Sequence, residues 1–346
     1  MTKTLRRFVG PWKLIDLATV PKTGLTAFSC FHCGGGSTMG YKLAGFNVLG
    51  GVEIDPEMMA LYRANHNPRQ SYLMGVQQFN EIPLDKIPDE LKNLDLLDGS
   101  PPCSVFSMAG KREKKWGSEH HFREGQQKQR LDDLFMHFIQ VGQRLQPKVI
   151  VAENVKGLVI GNAKGYVKEI FAAFKEAGYN TQLFLFNAAR MGVPQSRERT
   201  FFIARRQDLQ WLPLKLAFNE PPVTLQQALK DTKGDGKPLG PKASLLWGNT
   251  VRGQSFSKAA GGSWFTWNRL DWLNPSPAIV SGSPPSHPDI PRHLSNSETV
   301  RVQSFPDDYN FQKQDANYIC GMSVPPFMTQ RVALEINRQW FGVEYN

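Results

Sequence analysis

The sequence predicts an α/β fold, a mixed and mostly parallel sheet with helices on both faces, joined to a smaller second lobe. Three observations carry the prediction. Along residues 25–206, short apolar runs alternate with helically spaced segments and glycine-bearing turns, as strand–helix–strand units require. A chain of 346 residues is more than one core usually takes, so two lobes are expected. From about Gln207 to Pro291 the periodicity fades and Pro, Gly, Ser, Asn and Trp accumulate, marking the second lobe. The expected division is a leader over residues 1–24, a first domain over 25–206, a second over 207–291, and a segment over 292–346 that returns to the first.

The elements follow in order. Leu25 to Ser29 reads as a strand, and Gly34-Gly35-Gly36-Ser37 as a turn feeding a helix through Met39, Tyr41, Leu43 and Ala44. Glycines let the backbone approach a ligand and a helix start offers free N–H groups, so this is the front of a nucleotide-type site. Asn47 to Asp55 is the next strand, ending in Glu53-Ile54-Asp55. An acid about 20 positions past the glycines, at a strand end, suits hydrogen bonding to ribose hydroxyls. A dinucleotide site would look similar, but these glycines are not spaced G-x-G-x-x-G.

Asp95-Leu96-Leu97-Asp98 is a buried strand ending in an acid, and Gly99-Ser100-Pro101-Pro102 places Cys103 at its carboxyl end. In open α/β sheets that edge displays reactive side chains. Cys103 is therefore a candidate nucleophile; the competing reading is a small buried hydrophobe after a turn. From Ser104 to Arg130 seven basic residues stand against three acidic ones, with glycines at 110, 117 and 125. This reads as a basic lid over a polyanion, or more plainly as a solvated loop. Arg130 to Leu145 returns to helical spacing.

Val149 to Glu153 is a strand whose last carboxylate follows four apolar residues, a candidate proton carrier or a cap on the next turn. Val167 to Ala177 is an amphipathic helix closed by Gly178, and Thr181 to Phe186 and Thr200 to Ala204 are strands. Between them Arg197 and Arg199, two apart at a strand's entry, are expected to point to the same side. They would line a pocket or form a surface cluster. Trp211, Trp247, Trp264, Trp267 and Trp272, with Lys242, Arg252, Lys258 and Arg269, suit a lobe that reads base edges and backbone. Glu298 and Arg301 are spaced to pair on one helix face. Cys320 to Pro326 then leads into a last helix from about Phe327.

Composition is consistent with these readings. With 40% hydrophobic and 21% charged residues the chain has an ordinary globular composition. Lys and Arg number 41 against 31 Asp and Glu, a net charge of +10 that favours a polyanionic partner. Cys30, Cys33, Cys103 and Cys320 are too few for a disulfide framework, so a reducing compartment is expected. Cys30 and Cys33 have half-zinc-site spacing but no second pair, and no metal is expected. No apolar run approaches the roughly 20 residues of a membrane span. Met1 to Pro21 is basic at Lys3, Arg6 and Arg7 without an apolar core, so it is not a secretory signal.

Gly99-Ser100-Pro101-Pro102-Cys103, Glu153-Asn154-Val155 and Gln195-Ser196-Arg197-Glu198-Arg199, in that order, resemble the motif set of the cytosine-5 DNA methyltransferases. The resemblance runs from about Leu25 to about Ile336. It implies a Rossmann-like catalytic lobe with a target-recognition lobe, S-adenosylmethionine as methyl donor, S-adenosylhomocysteine as product, and double-stranded DNA as substrate. Cys103 would add to carbon 6 of a flipped-out cytosine, Glu153 would neutralise charge at ring nitrogen 3, and Arg197 and Arg199 would hold the exocyclic oxygen. The implied cofactor contacts are Phe28, Ser29, Gly35, Gly36, Ser37, Glu53, Ile54, Val76, Gln77, Pro101, Ser323 and Val324. The implied DNA contacts are Ser104, Ser107, Lys111, Arg112, Gln195 and Arg252. The chain departs from the family by a short insertion at Cys30 to Cys33, by Val76 in place of an acid, and by Met322 in place of Asn. Gln77, Gln78 or a backbone carbonyl would then take over the adenine amino group. A monomer in the cytoplasm, acting at the nucleoid, is expected, with room for a cognate restriction endonuclease not needed for activity. The rivals are a transfer-RNA methyltransferase, whose branch carries a Cys-Phe-Thr element absent here, and a catalytically silent DNA-binding member.

Overall fold

The computed structural model describes residues 5–102, 119–120, 129–160, 164–232, 234–262, 264, 266–281 and 285–345, with backbone alone at 119, 120, 129–132 and 164. Cys103, Ser104, Ser107, Lys111 and Arg112 lie outside the described residues.

The first half holds β1 (Thr26–Cys30), α1 (Gly36–Leu43), β2 (Asn47–Glu53) and β4 (Leu96–Gly99) where the sequence predicted strands and a helix, and between β2 and β4 also α2 (Pro56–His66), β3 (Gln70–Leu73), α3 (Val76–Glu81) and α4 (Asp89–Lys92). There follow β5 (Glu119–His120), β6 (Gln129–Arg130), α5 (Leu131–Leu145), β7 (Val149–Val155), α6 (Lys164–Glu176), β8 (Tyr179–Asn187), β9 (Gln195–Ser196) and β10 (Glu198–Arg206). The rest holds α7 (Leu225–Ala228), α8 (Pro241–Gly248), β11 (Ser276–Pro277), α9 (Asn296–Val302), α10 (Ala316–Met322) and α11 (Pro326–Trp340).

Seven strands form one sheet in the order β3-β2-β1-β4-β7-β10-β8. The first five are parallel, and β10 runs antiparallel to both neighbours. This is the mixed, mostly parallel, Rossmann-like sheet expected. Alternate residues feed opposite cores. Ala27, Leu96, Val149, Val151, Phe201 and Ile203 face α1 and α11, whereas Phe28, Leu97, Ile150, Ala152 and Phe202 face α3, α5 and α6. Both faces being covered, the strands read as nearly continuous apolar runs.

The strand predicted to reach Asp55 ends at Glu53. Asp55 instead caps α2, accepting from the N–H groups of Glu57 at 2.8 Å and Met58 at 3.3 Å. The chain's last helix closes on the first: Gln330 donates to the Leu43 carbonyl at 3.1 Å and Asn337 to that of Ala44 at 2.8 Å. The leader is built in, since Trp12 is buried and its indole donates to the Ser304 carbonyl at 2.9 Å. Two small apolar clusters occupy the second region, one around Leu225, Leu270 and Ile279, the other around Leu239, Leu246 and Phe256. The pair expected between Glu298 and Arg301 does not form. Glu298, at the third position of α9, folds back to accept from Ser295 and from both terminal nitrogens of Arg292 at 2.7 and 2.8 Å. Arg301 turns to Asp307, at 2.9 Å from each guanidinium donor.

Candidate active site

Glu153 sits near the carboxyl end of β7, and β10 begins beside it with Arg199 opposite Val155 and Phe201 opposite Glu153. Residues 199 and 201 share a face of β10, so Arg199 reaches back to the acid. Its Nε donates to Glu153 Oε1 at 2.9 Å, and Nη1 to the Glu198 carbonyl at 2.8 Å. Glu153 is buried. Burial pulls the Arg199 guanidinium below its usual pKa, and the carboxylate opposes that shift. The next residue fixes the neighbouring turn: Asn154 Nδ2 donates to the Pro101 carbonyl at 3.1 Å. The end of β7 thus holds both the acid–arginine pair and the Pro-Pro turn that precedes Cys103 in sequence.

Arg197 does not accompany Arg199 in these contacts. It lies between β9 and β10, is 2% exposed, and donates to the carbonyls of Ile279 at 2.9 Å and Gly321 at 2.8 Å. The break between the two strands turns the Arg197 guanidinium onto these carbonyls, while it stays within electrostatic reach of Arg199 and Glu153. Gln195, expected among the DNA contacts, is fully buried: it donates to Gln303 at 2.7 Å and accepts from the Ile279 N–H at 3.1 Å. It acts as a strut. Arg252 is exposed and ion-paired with Asp289.

The glycine turn lies over the ends of β1 and β2. Gly35, at φ +73°, caps α1 where a Cβ would collide with the His66 imidazole, and a Cβ on Gly36 would strike the Val324 carbonyl oxygen. Chain from opposite ends of the sequence therefore meets here, and Tyr309 donates to the Gly34 carbonyl at 2.6 Å. The Cys30 to Cys33 insertion is threaded with Phe31 at φ 57° and Cys33 at φ 45°. His32 stacks on Tyr62 at 3.7 Å, and burial holds it neutral, its pKa lowered to about 3. The Cys33 N–H donates to Glu53 Oε2 at 3.0 Å while Ile54 and Asp55 donate to Oε1 at 2.9 and 3.1 Å. Burial pushes Glu53 above the usual carboxylate value, and these N–H groups oppose it.

Ser29, Gly35, Gly36, Ser37, Glu53, Ile54, Gln77, Pro101, Ser323 and Val324 gather along the carboxyl ends of β1, β2 and β4 and the starts of α1, α3 and α11. Ser323 is 4% exposed and its hydroxyl has no partner among the described residues. Phe28, next to Ser29 on β1, and Val76, the first residue of α3, turn their side chains into the core. Phe28 has no exposed surface and packs on Phe79 and Tyr72 at 5.8 and 6.1 Å, and Val76 joins the same core. Gln78 caps α3 through the Gly75 N–H at 2.9 Å, which leaves Gln77 facing Gly75.

One residue of the site had no role in the sequence reading. Asp98, 3% exposed, accepts from the hydroxyls of Ser29 and Ser37 at 2.7 Å each and of Tyr41 at 3.0 Å. Burial raises its pKa to about 6, against the pull of these hydrogen bonds. An acid inside a strand that is otherwise apolar was the signal for it.

The profile of the C-5 cytosine-specific DNA methylases matches residues 25–240 and 247–338. The Type II methyltransferase M1.HphI of Haemophilus parahaemolyticus is 29% identical over 334 residues, 89% of this chain and 86% of that one. M.NgoPII of Neisseria gonorrhoeae is 26% identical, over 90% of this chain and 94% of its own. Among solved structures, a candidate DNA modification methyltransferase encoded within an E. coli prophage superimposes with TM-score 0.72 at 21% identity, covering 91% of this chain and 99% of the other. A Schizosaccharomyces pombe Dnmt2 methyltransferase does so with TM-score 0.61 at 15% identity, over 91% and 99%. The chain belongs to the C-5 cytosine-specific DNA methylase family.

Proposed function

We propose that this DNA (cytosine-5-)-methyltransferase takes its methyl group from S-adenosylmethionine and works through a covalent adduct of Cys103 with a cytosine flipped out of the duplex. The observation that carries this reading is the buried Glu153–Arg199 pair at 2.9 Å, set beside the turn that leads to Cys103. Carbon 5 of cytosine is a weak nucleophile. Addition of the Cys103 thiolate at carbon 6 breaks the ring's aromaticity and makes carbon 5 enamine-like, able to attack a methyl cation equivalent. Negative charge then grows towards ring nitrogen 3, where Glu153 neutralises it, while Arg199 orients Glu153 and faces the exocyclic oxygen. Arg197 supports that arrangement from behind, through Ile279 and Gly321. Loss of the carbon 5 proton lets the thiolate leave.

The donor set at the glycine turn fits such a cofactor. The turn approaches Val324 too closely for any Cβ on Gly36, Glu53 ends β2, and the buried Ser323 hydroxyl has no partner among the described residues. S-adenosylmethionine, when bound, supplies an electrophilic methyl group on a cationic sulfur. Ser29, Ser37, Ile54, Gln77, Pro101 and Ser323 would hold it. Residues 25–206 would form the catalytic domain, 207–291 the recognition domain with Arg252 on the DNA, and 292–346 the support that closes the cofactor side. No described helix is long and apolar enough to cross a membrane, and action as a monomer on cytoplasmic DNA fits the whole. Duplex DNA carrying 5-fluorocytosine, incubated with S-adenosylmethionine, tests the mechanism, because after methyl transfer fluorine cannot leave carbon 5 as the proton does. A denaturation-stable adduct with the wild type, absent from Cys103→Ala, is the expected result; equal adducts in both would exclude Cys103 as nucleophile.

A further inference from the structure

Asp98 stands on one face of the sheet with Ser29 beside it on β1 and Val151 beside it on β7. Glu153, two positions past Val151 on a strand, shares that face. Asp98 is therefore a buried carboxylate between the glycine turn and the acid–arginine pair. Buried carboxylates are ordinarily matched by a cation, because an unmatched charge in a low-dielectric site is costly. Among the described residues Asp98 has no salt-bridge partner: its hydrogen bonds come from three hydroxyls, Ser29, Ser37 and Tyr41. The nearest titratable groups do not supply the missing charge. Glu153 on β7 opposes its ionisation, and its own charge bears on Cys30 of β1, Tyr41 of α1 and Tyr62 of α2, all neutral when protonated. Glu53 at the end of β2 is a second acid acting on the same Cys30.

The hydroxyls carry a second consequence. Ser29 and Ser37 give their protons to Asp98, so each oxygen presents lone pairs alone to whatever lies beyond it. A negative charge behind two acceptor-only hydroxyls is an environment for a cation. Close by, where the start of α1 meets the segment before α11, the buried Ser323 hydroxyl also has no partner among the described residues.

We propose that Asp98 is a positioning residue for charge: through Ser29 and Ser37 it makes the cofactor site favour the cationic sulfonium donor over its neutral demethylated product. This deepens, and rests on, the cofactor reading above. Transfer of the methyl group turns the sulfonium into an uncharged thioether, so the attraction that holds the donor disappears at the moment the product forms. Product release is thereby favoured at no cost to donor binding. The site's preference depends on ionisation of Asp98, whose pKa, raised to about 6, makes it titrate in an accessible range.

The test is calorimetric binding of S-adenosylmethionine and of S-adenosylhomocysteine to the full chain between pH 5 and 8. Both ligands carry the same ammonium and carboxylate, so the ratio of their affinities isolates the sulfonium charge. In the wild type the preference for S-adenosylmethionine should grow as pH rises through about 6, when Asp98 ionises. Asp98→Asn should weaken S-adenosylmethionine about tenfold, change S-adenosylhomocysteine less than twofold, and abolish the pH dependence of the ratio. Tyr41→Phe, a milder change that keeps the carboxylate but removes one donor, should shift the midpoint of the ratio to higher pH. Equal weakening of both ligands by Asp98→Asn, or an unmoved midpoint in Tyr41→Phe, would reduce Asp98 to a structural strut and overturn the proposal while leaving the cofactor reading intact. Failure of the wild type to bind either ligand would overturn both.

Discussion

Replacing Arg199 by Met separates what the acid–arginine pair does for the fold from what it does for chemistry. The side chains of Arg199 and Glu153 are 17% and 9% exposed and meet at 2.9 Å. Removing one partner of so buried a pair strands the other charge, which costs about 3–5 kcal/mol of stability. Loss of a preorganised donor facing charge that develops in the transition state costs about 10²–10³ in turnover. The two effects divide in the double variant Glu153→Leu/Arg199→Met, where no charge is left stranded. Urea unfolding should show the double variant regaining most of the stability lost in Arg199→Met, while single-turnover methyl transfer stays as low as in the single variant. Stability that falls by the simple sum of the two single changes would mean that the pair is not coupled. Turnover within about threefold of wild type in Arg199→Met would refute its place in the catalytic machinery.

Three further predictions follow from the fold. Glu220 accepts two hydrogen bonds at 3.0 Å each from Arg331, whose side chain has no exposed surface, so Glu220→Gln should lower unfolding stability by about 3 kcal/mol in urea titrations. Trp12→Ala should lower it by about 3–5 kcal/mol, since the indole is buried against Phe327 and bonded to Ser304; no change would exclude the leader from the fold. Asp98 has a folded pKa of about 6 against 3.8 ordinarily, so the native state binds the extra proton and its stability falls as pH rises from about 4 to about 6. The loss is about 3 kcal/mol, and subtracting the stability–pH curve of Asp98→Asn from that of the wild type should reveal it as a descending step in that window.

The sheet was legible because strands covered on both faces announce themselves: Leu96-Leu97 and Val149 to Ala152 have nowhere to go but a core. Less of the left-hand edge could be read. β3 is Gln-Ser-Tyr-Leu, short and half-buried at the sheet's margin, and carries no periodic signal; the start of α2 is hidden because Asp55, its cap ahead of Pro56, reads in sequence as the end of the preceding strand. Motif spacing singled out Glu153 and two nearby arginines but could not say which of them would pair with the acid, as Arg199 does. That choice depends on the break between β9 and β10, which places Arg197 against carbonyls from residues far along the chain. Glu298 likewise had a plausible partner in Arg301 by spacing, and lost it to Arg292 because capping the helix turns the carboxylate backwards.

Bisulfite sequencing of DNA from cells expressing this chain, beside cells expressing Cys103→Ala, tests cytosine-5 methylation through Cys103 most directly. Cytosines protected from conversion within one short sequence motif, and unprotected in the Cys103→Ala cells, are the predicted result. Protection that persists in Cys103→Ala, or the absence of any protected motif with wild-type protein that binds S-adenosylmethionine and duplex DNA, would contradict it.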